Sequence, residues 1–273
     1  MVKVTILGST GMLGNSVTRQ LISNENFNVT TSFRKEQFRQ NENSFYFDAL
    51  TSRLQDLPDS DYIINCIGII KPYMNDNPLN AIKINSLFPR NLANWCKTNN
   101  TKLIHITTDC VFSGQTGRYD ESSLHDCIDE YGKSKSLGEP TDCMTIRTSI
   151  IGEEIHSNSS LVEWVKSQKG KTIKGFTNHF WNGVTTSQYG KICSQIITKN
   201  LYQEGLFHVH SDDLSKYELV SIINDVYDLG ITIEPYSTSN SCDRTLRTNK
   251  ELNSVLSIPT LKEQIISMKN LTI

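Results

Sequence analysis

The chain has 273 residues, 37% of them hydrophobic and 8% aromatic, enough to close a packed core and to exclude wholesale disorder. Its formal net charge of −2 offers no general attraction to nucleic acid or to an anionic membrane, so charged partners must be met by local groups. No apolar run approaches the ~18 residues of a spanning helix, and Met1–Gly8 reads as a strand entering a turn rather than a signal peptide; the expected location is cytoplasmic.

In chain order, Val2–Leu7 is a short β-branched run, Met12 to about Ser23 has helical spacing, and Asn28–Phe33, Ser44–Phe47 and Tyr62–Ile67 read as strands. Pro78 to Lys97 predicts one long helix with Leu79, Ile82, Leu87, Leu92 and Trp95 inward, followed by a strand at Leu103–Thr107, a helix at Tyr131–Gly138 and a strand at Met144–Ile150. Strands that read as apolar runs between helices indicate a parallel sheet covered on both faces. After Gly152 the rhythm changes: helical Ser159–Ser167, extended Lys171–Phe176, helical Ser187–Lys199, a strand at Leu206–His210, and helices at Lys216–Tyr227 and near Leu261–Lys269. The expected architecture is α/β, a Rossmann-type doubly wound parallel sheet with a smaller C-terminal α+β lobe. Residues 1–150 form the dinucleotide core; 151–273 are mainly a substrate lobe, with about 185–210 returning to the core.

With only three alanines in the chain, helices must lean on burial rather than on intrinsic propensity. Seven scattered cysteines without a Cys-x-x-Cys pair fit reduced thiols better than disulfides or zinc. His208 and His210 share one strand face but lack a third ligand, so no metal site is expected.

Gly8-Ser9-Thr10-Gly11-Met12-Leu13-Gly14 follows the first strand at once and opens the first helix, the context that separates a dinucleotide fingerprint from a chance glycine pattern. The first glycine allows the turn, the second lets backbone approach a pyrophosphate, and the third lets helix pack on strand, while first-turn N–H groups receive the diphosphate. The second strand ends Ser32-Phe33-Arg34-Lys35 with no carboxylate. Arg34, with Lys35 beside it, can grip a ribose 2′-phosphate that a carboxylate would repel, so NADP(H) is the expected cofactor. Asp48 either accepts from the adenine amino group or simply forms a turn.

Tyr131-Gly132-Lys133-Ser134-Lys135 sets Tyr131 and Lys135 one helical turn apart. With ten tyrosines and eighteen lysines, about two-thirds of one such match is expected by chance, so the pair needs support from elsewhere. It comes from Thr107-Thr108-Asp109, which ends an apolar strand where open parallel sheets bind ligands.

Together, Gly8–Gly14, Asn65-Cys66-Ile67-Gly68, Asn85, Thr107–Gly114, Tyr131–Lys135 and Arg147-Thr148-Ser149 resemble the extended short-chain dehydrogenase/reductases, and within them the dTDP-4-dehydrorhamnose reductase branch. The resemblance implies catalysis by Thr108, Tyr131 and Lys135. Tyr131 would protonate the sugar O4 as hydride arrives from the nicotinamide, and Thr108 would hold the carbonyl, with Thr107 the competing hydroxyl. A free phenol titrates near 10, and lowering that by about three units takes roughly 4 kcal/mol, which the Lys135 ammonium and the cationic nicotinamide could supply. Gly8, Thr10, Gly11, Met12, Leu13, Gly14, Arg34, Lys35, Asp48, Cys66, Ile67, Gly68, Asn85, Thr107, Tyr131 and Lys135 would contact cofactor. Asn85 either anchors a kink or water beside the lysine or caps a helix.

Lys71, Phe112, Ser113, Trp181, Asn182 and Arg244 are the candidate substrate contacts, with lobe packing the plainer reading of Trp181 and an Asp243–Arg244 contact that of Arg244. Two departures touch sugar recognition: Cys110 stands where these reductases usually carry Tyr, and Trp181–Thr186 replaces a Gly-x-Pro-Thr-like segment. The implied activity is NADP(H)-dependent reduction of a UDP- or dTDP-linked 4-keto-6-deoxyhexose, with a lean to a UDP-2-acetamido-2,6-dideoxy-hexos-4-ulose, with or without 3-epimerisation, over dTDP-4-dehydrorhamnose. Dehydratases of this fold add an Asp-Glu pair after the hydroxyl, which Asp109-Cys110 lacks. The non-enzyme alternative is an NADP-binding regulatory subunit. A homodimer is allowed.

Overall fold

The computed structural model describes residues 1–154 and 160–271. Strands β1 (Val2–Leu7), β2 (Phe27–Phe33), β3 (Ser44–Tyr46), β4 (Tyr62–Asn65), β5 (Lys102–Thr108) and β6 (Met144–Thr148) come from the first half of the chain. The second half adds β7 (Ile150–Ile151), β8 (Thr172–Phe176), β9 (His179–Trp181), β10 (Val184–Thr185), β11 (Gly205–His208), β12 (Leu214–Ser215), β13 (Thr232–Tyr236) and β14 (Cys242–Asp243). The main sheet has seven strands in the order β11-β6-β5-β4-β1-β2-β3, every neighbouring pair parallel. The order reverses between β1 and β4, which opens a crevice beyond their carboxyl ends. There Leu7 pairs with Asn65, and the Cys66 N–H donates to the Leu7 carbonyl at 2.9 Å.

Helix α1 (Met12–Ile22) buries Leu13, Val17 and Leu21 on one sheet face. The long segment after β4 is not one regular helix. It runs as α2 (Pro78–Ile82), a π-helical turn at Lys83–Leu87, and α3 (Phe88–Thr98). Pro89 has no N–H for the Asn85 carbonyl four residues back, and its ring crowds that group; widening to a π turn relieves both demands. Leu79 (72% exposed), Ile82 and Leu87, expected inside, lie outside. Ile84, Asn85 and Phe88 turn inward instead, and Phe88, Leu92 and Cys96 cover the second sheet face.

Helix α4 (Glu130–Leu137) begins at Asp129, whose carboxylate accepts from the Gly132 N–H at 2.9 Å. Helices α5 (Leu161–Lys166), α6 (Thr186–Thr198), α7 (Lys216–Tyr227), α8 (Leu252–Leu256) and α9 (Leu261–Leu271) follow. Ser159, the first residue of the helix expected at Ser159–Ser167, lies outside the described residues. Helix α6 packs on α1 and shares its core through Tyr189, Ile192 and Ile196. A separate core joins Val162, Val165, Trp181, Leu219, Ile223 and Ile265, beside small sheets that pair β8 with β13 and β9 with β12 and β14. Among the described residues, no helix is long and apolar enough to cross a membrane.

Candidate active site

The glycine turn between β1 and α1 is shaped by close backbone approach. Gly8 adopts φ 78°, and a Cβ on Gly14 would sit 2.1 Å from the Gly8 carbonyl oxygen, so only glycine fits at either position. Helix α1 starts at Gly11 with no side-chain cap, leaving its first-turn N–H groups, those of Met12 and Leu13 among them, for an anion. Ser32, which the sequence reading passed over, fixes the turn to β2. Its hydroxyl accepts from the Gly8 N–H at 2.8 Å and its carbonyl accepts from the Ser9 hydroxyl at 2.7 Å.

A cleft of about 190 Å³ opens here, lined by Gly8, Thr10, Gly11, Arg34, Asp48, Cys66, Ile67 and Gly68 together with Ser32, Phe33 and Ile69. Arg34 is exposed at its edge, while Lys35 is exposed outside the lining. Asp48 acts as a turn former, one carboxylate oxygen accepting from the Leu50 N–H at 2.9 Å, and it still faces the cleft. Burial pushes the Cys66 thiol up to about 12, so it lines the wall as a neutral group.

Asn85, carried by the π turn, clamps the loop after β4. Its side chain accepts from the Ile69 N–H at 2.8 Å and donates to the Ile69 carbonyl at 2.9 Å and to the Ser134 hydroxyl at 3.1 Å. The clamp makes Asn85 a backbone anchor rather than a helix cap. A methyl group built on Gly68 would lie 3.6 Å from Asn85 Oδ1 and 3.9 Å from Lys135 Nζ, so the lysine meets the cleft wall. Lys135 Nζ also donates to the Ile106 carbonyl at 3.3 Å, and burial lowers the amine to about 8 against the opposing pull of Glu139.

One turn earlier on α4, the half-buried Tyr131 phenol lies near enough to the Thr108 hydroxyl for the two to interact. Thr108 also donates to Asp109 at 3.1 Å and accepts from the Cys110 N–H at 3.2 Å. Burial first, then Cys110, Asp109 and Asp129, drive the Tyr131 phenol above its ordinary value, against the lowering expected from Lys135 and a bound nicotinamide. A neutral phenol beside a buried amine can give a proton to an oxygen that becomes negative, and a hydroxyl can orient that oxygen first. Thr107 is also corrected as a cofactor contact. Alternation along β5 turns its side chain away from Thr108, and it donates to Glu139 at 2.8 Å within the interior.

Most of the expected substrate contacts hold partners within the protein itself. Phe112 is 0% exposed and stacks on Tyr119 with ring centroids 4.1 Å apart. The Ser113 hydroxyl donates to Asp126 at 2.6 Å, and Lys71 pairs with Asp129 at 3.1 Å. Trp181 packs in the second-half core, and Asn182 is buried, its amide donating to Asp213 and to the Leu246 carbonyl, both at 2.9 Å. Arg244 makes no Asp243 pair; it donates to the Phe112 carbonyl at 2.9 Å and the Ser113 carbonyl at 3.3 Å. His208 bridges Arg147 and the Arg247 carbonyl as an interior histidine.

The cation that the sequence did not single out is Lys216, at the start of α7. It lies 5.1 Å above the Trp181 ring and acts electrostatically on the buried Asp109, Cys110 and Arg244. It sits 108 positions after Thr108 in an ordinary polar stretch, and no local pattern signals it.

Phe112→Ala is expected to cost about 3–5 kcal/mol of unfolding free energy, read by denaturant titration. A variant that kept its stability and lost only substrate affinity would return Phe112 to the sugar pocket.

A profile of the RmlD substrate binding domain family matches residues 2–270. The probable low-salt glycan biosynthesis reductase Agl14 of Haloferax volcanii is 30% identical over 224 residues, which is 76% of this chain and 73% of that protein. Methionine adenosyltransferase 2 subunit beta of Bos taurus is 24% identical over 83% of this chain and 72% of its own. The crystal structure of dTDP-4-dehydrorhamnose reductase from Bacillus anthracis in complex with NADP superposes with a TM-score of 0.78, at 21% identity, over 98% of this chain and 99% of that one. With the glycine turn, the crevice and the Thr–Tyr–Lys cluster held in one frame, and the profile spanning nearly all of it, this chain belongs to the RmlD substrate binding domain family.

Proposed function

We propose that this chain is an NADP(H)-dependent reductase acting on the 4-keto group of a nucleotide-linked 4-keto-6-deoxyhexose. The observation that carries the reading is the continuity of the site: the phosphate-sized glycine turn leads through Gly68 to Lys135, and from Lys135 one turn back to Tyr131 and Thr108. Glycine backbone, an uncapped helix start and Arg34 in place of a carboxylate fit a dinucleotide with a 2′-phosphate.

When bound, the reduced nicotinamide supplies hydride to the carbonyl carbon. Thr108 orients the carbonyl, Tyr131 passes its proton to the developing alkoxide, and Lys135 holds the ribose and faces the phenolate left behind. A phenol held high by burial stays protonated until it is needed, which suits the reductive direction. Residues 1–150 would hold cofactor and 151–273 mainly substrate, with about 185–210 returning to the first unit. Within the second unit, Lys216 is the proposed partner of the nucleotide diphosphate, because Arg244 spends donors on the Phe112 and Ser113 carbonyls. The Cys110 and Phe112–Gly114 segment resembles that of reductases acting on UDP-2-acetamido sugars, which favours a UDP-2-acetamido-2,6-dideoxy-hexos-4-ulose over dTDP-4-dehydrorhamnose.

The similarity to methionine adenosyltransferase 2 subunit beta supports a second reading, an NADP-binding subunit without turnover. A panel of UDP- and dTDP-linked 4-keto sugars separates the two: NADPH absorbance falls with at least one under the enzyme reading, whereas tight NADPH binding with no oxidation favours the subunit. Arg34→Ala is expected to weaken NADPH roughly 10- to 100-fold, the worth of a charged hydrogen-bonded contact, and NADH by less than about threefold. Equal losses in titrations of the two cofactors would remove Arg34 from the 2′-phosphate.

A further inference from the structure

Behind the hydride site lies a buried charged network that the mechanism above does not use. Glu139, 8% exposed, follows α4 four residues after Lys135. Its carboxylate accepts from the Thr107 hydroxyl at 2.8 Å, from Arg147 Nε at 3.1 Å and from Arg147 Nη2 at 2.6 Å. Arg147, on β6 and 0% exposed, sends its other donors to His208 Nε2 at 2.7 Å and His125 Nε2 at 2.6 Å. Both rings accept, since His208 Nδ1 donates to the Arg247 carbonyl and His125 Nδ1 can donate to Ser136. They remain neutral, burial holding His208 down at about 4 and His125 below its ordinary value. Glu139 is thus the carboxylate that neutralises Arg147 within this network.

We propose that Glu139 is a positioning residue of the hydride site, its Arg147-held carboxylate tying down the end of β5 through Thr107 while facing the Lys135 ammonium from behind. The role rests on the hydride-site reading above. The Thr107 bond fixes the strand end that presents both Thr108 and the Ile106 carbonyl on which Lys135 Nζ sits. A carboxylate in the interior is costly unless paired, and Arg147 supplies the partner at 2.6 Å. The other polar groups around Lys135 are neutral: Tyr131 on its own helix, Asn85 across the cleft, and His105 on β5, which burial and Lys135 itself hold well below its ordinary range. Among these, Glu139 alone opposes the desolvation of the ammonium.

The test is the ionisation of Lys135 in Glu139→Gln, an exchange that keeps an oxygen for Thr107 and removes the charge. Acylation of the Lys135 amine by acetic anhydride across a pH series, read by peptide mass spectrometry, gives its midpoint whether or not the protein turns over. The expected midpoint moves to lower pH by about 1 pH unit, the effect of losing one nearby opposite charge, and the alkaline limb of kcat/KM moves with it. Glu139→Asp, which restores the charge, is expected to return most of the change. A purely architectural glutamate would lower stability and leave the midpoint where it was; that result overturns the proposal. Should Glu139→Gln not fold with Arg147 unpaired, Glu139→Gln combined with Arg147→Gln leaves a neutral network, and the same acid displacement or its absence decides. If none of the sugars makes the wild type oxidise NADPH, the hydride reading fails while the amine titration still reports on Glu139.

Discussion

Tyr131→Phe is expected to lower kcat by about 10³-fold while leaving NADPH affinity within about twofold. The substitution removes one oxygen and keeps the ring that fills its place on α4, so the Gly8–Gly14 turn and Arg34 are untouched. What disappears is the proton that must reach the sugar oxygen as the carbonyl carbon is reduced, a general-acid contribution of about 10²–10⁴. Thr108 cannot replace it, because an aliphatic alcohol is a far weaker acid than a phenol and can orient the oxygen but not protonate it. Stopped-flow hydride transfer, compared with cofactor titration by fluorescence, separates chemistry from binding. Undiminished turnover would take the phenol out of the mechanism.

Lys135→Met carries the second large effect, and its two halves have opposite signs. Turnover is expected to fall by at least about 10²-fold, since the ammonium that faces the phenolate is gone. Stability at pH 7 is expected to rise. The amine titrates at about 8 in the fold against an ordinary 10.5, and that difference of about 2.5 corresponds to about 3 kcal/mol of desolvation held against folding at neutral pH. Losing the bond to the Ile106 carbonyl returns about 1 kcal/mol, which leaves a net gain near 2 kcal/mol. Between pH 8 and 10.5 the unfolded chain binds the proton that the folded chain has released, so the wild type gains stability as pH rises through that window. The advantage of the methionine variant should therefore shrink from pH 8 upward in urea titrations. A variant less stable than the wild type at pH 7 would mean that the ammonium is well solvated where it sits. The same ionisation predicts that wild-type turnover declines as pH rises above about 8.

The parts of this molecule that were legible in sequence are those whose physics is local. Parallel strands buried on both faces read as apolar runs, and β1, β2, β4, β5 and β6 lie where those runs are. The Gly8–Gly14 turn announces itself because backbone contact admits no Cβ, and the Tyr131–Lys135 spacing follows from helical pitch. Alternation along β5 also separated Thr108 from Thr107 in direction. What failed depends on distant contacts. Leu79, Ile82 and Leu87 were placed inward on their apolar character, but the face that packs on the sheet carries Ala81, Ile84, Phe88, Leu92 and Cys96 instead. Phe112, Ser113 and Asn182 sit in loops whose direction is set by Tyr119, Asp126 and Leu246, and those partners are visible only once the chain is folded. Tyr131 was expected low on the strength of Lys135 and the nicotinamide charge together, whereas the surrounding chain itself, through burial and acidic neighbours, pushes it the other way. Lys216 acts electrostatically on Asp109 from a helix placed there through tertiary structure alone.

Transfer of deuterium tests the hydride-site assignment most directly. NADPH deuterated at the transferable position of the nicotinamide is incubated with the protein and each 4-keto nucleotide sugar, and the sugar products are examined by mass spectrometry and proton NMR. The expected result is deuterium at C4 of the reduced sugar with at least one substrate, absent with Tyr131→Phe over the same interval. Tight cofactor binding with no label in any sugar, from protein whose Arg34 and Gly14 turn are intact, would contradict it.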